Sequence, residues 1–318
     1  MMNESNLYDD DFDMPDEEER RVRERRQFTY SMHALKVAAG VDRACILHPD
    51  FKASLAGCDR VFQLCRELSQ PQAMVIAGST GVGKTALIKY FRAALPKSDL
   101  FEQGFGAIAV RLPTKPNVGH LIGAMLRQLR HPFPQVTGHT LAIKREVLIE
   151  ALRQRGTRLL FIDEAQHLRD QSRIRSRAFD GTSVTDCLRE LVDEVPLGLC
   201  LSGTPDLLQL QDVDAHLDNR VGARFQLTDF SDGAMWKGFL STFRRHCNHV
   251  DLSIIESPDH GRKLHVATRG NLRPFKRLIT EAVLIWVDSK AEKLANDHFA
   301  KAFDRTSGDV KRIGNPYA

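Results

Sequence analysis

The chain has no C-x-x-C pair and no spaced set of metal ligands among its 6 cysteines, Cys45, Cys58, Cys65, Cys187, Cys200 and Cys247. A zinc ribbon, a redox dithiol and a disulfide scaffold are therefore excluded. Buried thiols are expected instead, since Cys200 sits in an apolar run and Cys58 and Cys65 are helically spaced. His246-Cys247-Asn248-His249 is a tight cluster, but no further ligands are spaced to complete a metal site. No apolar stretch approaches the roughly 20 residues of a membrane span, and the N-terminus is acidic rather than signal-like. No membrane association is expected, and a reduced, cytoplasmic location is. Aromatics are sparse at 7%, and neither sign of charge dominates a net +4. Overall charge thus neither demands nor excludes nucleic acid, so its distribution has to decide. No internal repeat, helix-turn-helix or zinc finger is visible, which argues against sequence-specific DNA reading by this chain.

What is present is a complete P-loop. Gly78-Ser79-Thr80-Gly81-Val82-Gly83-Lys84-Thr85 follows the apolar run Ala73–Ala77 and precedes the helical pattern Ala86–Phe91. The strand–loop–helix context is what the motif requires. Glycines let the backbone wrap phosphate oxygens, and the helix N-terminus offers free N–H groups to the anion. Lys84 can reach the β- and γ-phosphates, and Thr85 can place its hydroxyl on a magnesium ion. ATP and Mg2+ are the expected ligands.

At 318 residues, 42% hydrophobic and 27% charged, the chain is an ordinary globular composition with room for one large or two modest domains. Residues 1–27 form a charge block, acidic from Asp9 to Glu19 and arginine-rich from Arg20 to Arg26, with little apolar surface to bury. We expect a partly disordered N-terminal extension over 1–45, in which the charge block of 1–27 is either a solvated arm or one that docks on a partner or on nucleic acid. An amphipathic helix over 59–69 feeds the first strand. Further strands are expected at Ala107–Leu112, Leu159–Ile162, Leu197–Leu201 and Phe225–Leu227, separated by helices at 118–130, 140–155 and 184–194. Short buried strands alternating with helices imply an α/β fold with a parallel five-stranded sheet over residues 46–229, the P-loop strand being central. From 230 to 305 four helical patterns follow with no strand between them, the mark of a small all-helical domain, and 306–318 reads as a tail.

Arg158-Leu159-Leu160-Phe161-Ile162-Asp163-Glu164 is a hydrophobic strand ending in two carboxylates. A strand parallel to that of the P-loop brings this end to the phosphate edge. Asp163 can then hold magnesium, and Glu164 can polarise a water for in-line attack on the γ-phosphorus. The next strand ends Leu201-Ser202-Gly203-Thr204-Pro205. A polar residue at this tip lies between the two motifs; Thr204 is the first choice and Ser202 the second.

These residues together resemble the AAA+ ATPases. Asp163-Glu164-Ala165-Gln166-His167-Leu168 followed by Gly203-Thr204-Pro205 narrows the resemblance to the TniB/TnsC transposition regulators, over about residues 46 to 303. The resemblance implies an ASCE-type core, a helical lid, and ATP-dependent homo-oligomerisation on double-stranded DNA as a ring or filament. It also implies contacts with a DDE transposase and with a target-selection protein of the TniQ type. Gly270-Asn271-Leu272-Arg273 is similar to the family's sensor 2, which would direct Arg273 to the γ-phosphate of its own subunit. Arg220 and Arg224, around the start of the fifth strand, lie where the family's arginine finger sits, with Arg224 slightly favoured. Such a finger reaches a neighbour's nucleotide and makes hydrolysis depend on assembly.

Local basic loops are the candidates for DNA contact. Thr114 and Lys115, after the second strand, offer a hydroxyl and a cation that position a phosphate backbone without reading sequence. Arg173, Arg175 and Arg177 form a second cationic stretch beyond the paired carboxylates. Three other classes share this core: a replicative-helicase loader or initiator, a STAND-type switch, and a secretion-type ATPase. The STAND class normally carries a long repeat domain, and the secretion class a membrane or peptidoglycan-binding segment.

Overall fold

The computed structural model describes residues 30–68, 72–95, 106–168, 183–212, 214–307 and 314–318. In chain order its main elements are α1 (Met32–Arg43), α2 (Pro49–Glu67), β1 (Ala73–Gly78), α3 (Lys84–Ala94), β2 (Ala107–Arg111), α4 (Val118–Gln128) and α5 (Leu141–Gln154). They continue with β3 (Leu159–Asp163), α6 (Val184–Glu194), β4 (Gly198–Gly203), β5 (Val221–Leu227), α7 (Ala234–His246), α8 (Pro258–Thr268), α9 (Leu272–Ser289) and α10 (Asn296–Ser307).

The five strands make one parallel sheet in the order β2-β3-β4-β1-β5. Strands β1, β3 and β4 are buried at every position. Their period of two then divides them between two cores. Val75, Ala77, Leu160, Ile162, Leu199 and Leu201 face α4, α5 and α6. Met74, Ile76, Leu159, Phe161 and Cys200 face α2 and α3. β1 was expected at the centre of the sheet; that place belongs to β4. Strands β2, β3 and β4 all lie on one side of β1 and only β5 lies on the other, which leaves β1 fourth of five. The arrangement sets the tip of β4 between the ends of β1 and β3.

Beyond β5 a cluster of aromatic rings builds the next layer. Phe230, Trp236, Phe239, Phe243 and Phe275 form a third core with ring centroids 4.7 Å apart for Phe230–Phe239, 5.1 Å for Phe239–Phe275 and 5.0 Å for Phe243–Phe275. Such pairs contribute about 0.5–1.5 kcal/mol each beyond area burial, so a few rings suffice to hold a small helical layer.

Two expected boundaries shift. Residues 1–29 lie outside the described residues, but the remainder of the expected 1–45 extension is not a loose arm. Ser31 caps α1, accepting from Ala34 N, and Ala34, Ala38 and Val41 pack into the aromatic core against α9. Tyr30 bonds Glu281, Ser31 Oγ donates to Asp288 at 2.6 Å, and Lys276 reaches the Asp42 carbonyl. At the other end, α10 continues to Ser307, and Tyr317, only 4% exposed, stacks on Phe299 beside His260. The expected tail therefore returns to the helical layer. All 6 cysteines are free thiols, five of them buried. No group of His, Cys, Asp and Glu that could hold a metal occurs among the described residues, including the His246–His249 cluster. Among those residues no helix is long and apolar enough to cross a membrane.

Candidate functional site

The loop from Gly78 to Gly83 joins β1 to α3 at the C-terminal edge of the sheet. Gly81 sits at φ +95°, and a Cβ there would lie 2.4 Å from Asn271 Oδ1, so only glycine fits the loop crest. Lys84 folds back into the loop, its Nζ donating to the Gly78 carbonyl at 2.6 Å and the Ser79 carbonyl at 2.8 Å. Burial pushes its ammonium below the ordinary lysine value, opposed by the nearby carboxylates of Glu164 and Asp163.

Thr85 Oγ1 donates to Asp163 Oδ2 at 2.9 Å, bridging the first turn of α3 to the end of β3. The other oxygen, Asp163 Oδ1, accepts from Ser202 Oγ at 3.2 Å and from the Glu164 amide at 3.1 Å. Three donors thus fix a carboxylate that is only 6% exposed. The Thr85 hydroxyl and the Asp163 carboxylate are hard oxygen donors side by side, a pairing that fits a small divalent cation such as Mg2+.

Glu164 follows at φ +56°, a left-handed conformation costing a non-glycine residue roughly 1–2 kcal/mol. Its carboxylate takes partners different from those of Asp163. Glu164 Oε2 accepts from Gln166 Nε2 at 2.6 Å, and Oε1 accepts from Arg111 Nη2 at 3.0 Å. The Gln166 hydrogen bond, with Arg111 and Lys84 behind it, holds the carboxyl below the usual glutamate value against the upward push of burial. Gln166 Oε1 in turn accepts the Thr204 amide at 3.2 Å, so one side chain spans the ends of β3 and β4. Thr204 Oγ1 donates to Asp206 at 3.3 Å.

From the helical side, Asn271 caps α9 and grips the loop. Its Oδ1 accepts from the Arg273 amide at 3.1 Å, and its Nδ2 donates to the Thr80 carbonyl at 3.0 Å and to Asp229 Oδ1 at 2.7 Å. Asp229 Oδ2 takes the Ser79 hydroxyl at 3.1 Å. The result is a cleft of about 640 Å3, within the usual range for a small-molecule site. Its lining includes Lys84, Thr85, Asp163, Glu164, Thr204 and Arg273, together with apolar side chains such as Ile46, Phe51, Tyr90, Phe239 and Leu272.

The structure therefore gathers the loop residues, Asp163, Glu164, Thr204 and Arg273 around one space. It does not bring Arg220 or Arg224 there. Arg220 forms a fork on Asp193 at 2.7 and 2.9 Å, and Arg224 pairs with Asp218. Arg224 is also well inside β5 rather than at its start, because the strand begins at Val221. Thr114 and Lys115 are exposed in the loop after β2. Arg173, Arg175 and Arg177 lie outside the described residues. Sequence reasoning did not single out Arg111, Gln166, Asp229 or the loop-gripping side of Asn271. Of these, Gln166 and Asn271 stood inside quoted motifs and Arg111 inside the expected strand Ala107–Leu112, while Asp229 stood in none.

A family model described as "Bacterial TniB protein" matches residues 41–231. The chain belongs to the TniB family. In this TniB-family chain the match ends just after β5, so the helical layer from α7 onward lies beyond it. No curated protein matches the sequence. Among solved structures, the Aeropyrum pernix ORC2 protein in its ADP form is similar at a TM-score of 0.58 and 17% identity, over 85% of this chain and 71% of that one. Cdc6p from Pyrobaculum aerophilum gives 0.57 at 16% identity, over 82% and 69%. The Aeropyrum pernix ORC1 protein in complex with DNA gives 0.57 at 16%, over 80% and 64%. Such likeness establishes a shared AAA+ fold, with the parallel sheet followed by a helical layer.

Proposed function

We propose that this TniB-family chain binds and hydrolyses ATP with Mg2+, assembles with copies of itself on double-stranded DNA, and regulates transposition through its nucleotide state. The observation that carries the reading is the convergence of Lys84, Thr85, Asp163, Glu164, Thr204 and Arg273 on one cleft. The partition that goes with it is a core over 46–229 and a lid over 230–305, with α1 carried on the lid.

In this reading the loop amides and Lys84 bind the phosphates, and Thr85 with Asp163 would hold Mg2+, which would supply neutralisation of phosphate charge. Glu164 accepts a proton from the attacking water as the bond from the γ-phosphorus to the bridging oxygen breaks. Thr204 orients that water or a γ-oxygen, and Arg273 meets the γ-phosphate from the lid side. Arg224, or Arg220, serves the neighbour's site after leaving its own-chain carboxylate. Thr114 and Lys115 contact the DNA backbone, with Arg173, Arg175 and Arg177 as further cations. A DDE transposase and a TniQ-type target-selection protein are the proposed partners, and the cytoplasm the proposed location.

The test is Glu164→Gln, which keeps shape and removes the base. ATP should still bind, hydrolysis should fall roughly 10²–10⁴-fold, and DNA-bound assemblies should persist longer. Normal turnover in this variant would remove Glu164 from the mechanism. The initiator or loader reading shares the same cleft and fold; it predicts dependence on a helicase where the present reading predicts dependence on a transposase.

A further inference from the structure

From Gln103 to Arg145 the sequence contains no Asp or Glu, yet it carries six Lys/Arg and three His. That composition contrasts with a chain that holds 45 Lys+Arg against 41 Asp+Glu overall. The described part of this stretch is β2, its following loop, α4, the α4–α5 connection and the start of α5, all at the β2 edge of the sheet.

The connection is built so that its basic residues share an edge with Lys115. After α4 the chain turns at Arg130, φ +55°, and runs back along the helix. A Cβ on Gly123 would lie 2.9 Å from the Pro134 carbonyl, and one on Gly119 would lie 3.6 Å from Val136 Cγ1. The return path therefore climbs antiparallel to α4 and brings the turn Gly138–Thr140 level with the first turn of α4. That first turn begins at Asn117, two residues after Lys115. Two helix N-termini, of α4 and α5, open here, and neither has an acidic residue in its first turn. Carboxylates are the usual occupants of that position, so their absence leaves both positive dipole ends uncompensated. Further along, Lys144 Nζ donates to the Phe133 carbonyl at 2.6 Å, a neutral partner that leaves its charge unpaired. Three carboxylates of this region, Glu190 and Glu194 of α6 and Glu146 of α5, are engaged by Arg145. In the same segment Phe133, between two prolines, is 69% exposed and Ile143 is 65% exposed.

We infer that the α4–α5 hairpin is a second backbone-gripping surface for duplex DNA, extending the contact of Thr114 and Lys115 through His120, Arg127, Arg130, His139 and Lys144. The inference rests on the DNA-binding part of the function proposed above. Cations without interspersed acids suit a polyanion, and their placement along one edge suits a backbone rather than a point charge. Phe133 then lies against sugar faces, an apolar contact that carries no sequence preference.

The test uses the full-length protein, ATP analogue and two fluorescent duplexes of unrelated sequence across a salt titration. Combined Arg127→Ala, Arg130→Ala and Lys144→Ala should weaken both duplexes alike and flatten the slope of log affinity against log salt by about 0.9 per lost contact. DNA-free ATP turnover should not change. Gln135→Lys, which removes nothing from the fold, should strengthen binding and steepen the slope. Unchanged affinity in the triple variant and in Gln135→Lys, with binding still lost in Lys115→Ala, overturns the hairpin surface and leaves the DNA reading intact. If wild type binds neither duplex, the DNA reading itself fails and the hairpin surface with it. Loss of polyglutamate binding in the triple variant with DNA binding intact would assign the face to an acidic protein and overturn the inference.

Discussion

Arg111 and Glu164 give the sharpest quantitative prediction. Arg111 ends β2 and pairs in register with Asp163, which places its guanidinium 3.0 Å from Glu164 Oε1. In this arrangement each oxygen of the proposed base already accepts one hydrogen bond, Oε1 from Arg111 and Oε2 from Gln166. The Arg111 side chain is 74% exposed and that of Glu164 30%, so solvent screens the pair heavily. An exposed pair of this kind is worth about 0.2–1 kcal/mol. If the pair has to open before turnover, Arg111→Ala should raise DNA-free ATP hydrolysis about 1.5–5-fold, since 1.4 kcal/mol is a factor of ten. The pH dependence gives an independent check. The partners lower the Glu164 pKa, so the base stays ionised further into acid, and activity falls as pH drops through that depressed value. Removing Arg111 raises the pKa and should shift the acid limb of the rate profile to higher pH. Phosphate release measured at saturating ATP across pH reads both effects. A rate that is unchanged or lower, with an unmoved acid limb, would mean the pair does not restrain the base.

Asn271→Ala removes hydrogen bonds to Thr80 and Asp229, each worth about 0.5–1.5 kcal/mol, and should weaken ATP binding several-fold by calorimetry while Asn271→Asp fails to rescue it beside Asp229; wild-type affinity would contradict the lid-to-loop grip. Gly270→Ala places a Cβ 1.9 Å from the Phe230 carbonyl at φ +69° and should lower thermal stability by about 1–3 kcal/mol or more, with an unchanged Tm refuting the close approach. Burial lowers the His260 pKa from 6.5 to about 4, so its stabilising contribution is complete above pH 6.5 and is lost as pH falls towards 4; urea unfolding of His260→Phe should show a weaker acid dependence over that window than wild type, and an identical dependence would remove His260 from the account. Arg224→Ala should bind ATP but not hydrolyse it, and mixing it with Lys84→Ala should restore part of the activity, because one protein keeps the loop and the other the arginine; no rescue for either Arg224 or Arg220 would mean that subunits act alone.

The legible parts of the chain were those where one segment carries its own signal. The glycines and lysine of residues 78–85, the apolar strands ending in Asp163 and Thr204, and the four helices after β5 all announce themselves locally. The parts that were not legible depend on contacts between distant segments. Arg111 resembles any cation at a strand end until the parallel register sets it beside Asp163 and Glu164. Asp229 becomes meaningful only when α9 delivers Asn271 to it. Helix α1 was hidden because its buried face is mostly alanine, Ala34 and Ala38, which gives a weak apolar stripe beside a strong charge block. The start of β5 was missed for a related reason: as an edge strand it alternates exposed Gly222, Arg224 and Gln226 with half-buried Ala223 and Phe225, unlike the uniformly buried strands inside the sheet.

The central claim, that nucleotide in this cleft controls assembly on DNA, is tested most directly by electron microscopy of the wild-type protein with duplex DNA, with and without a non-hydrolysable ATP analogue. The account predicts rings or filaments on the duplex when the analogue is present and their absence when it is omitted or when Lys84→Ala replaces wild type. Assemblies of the same form and abundance in all three samples would contradict it.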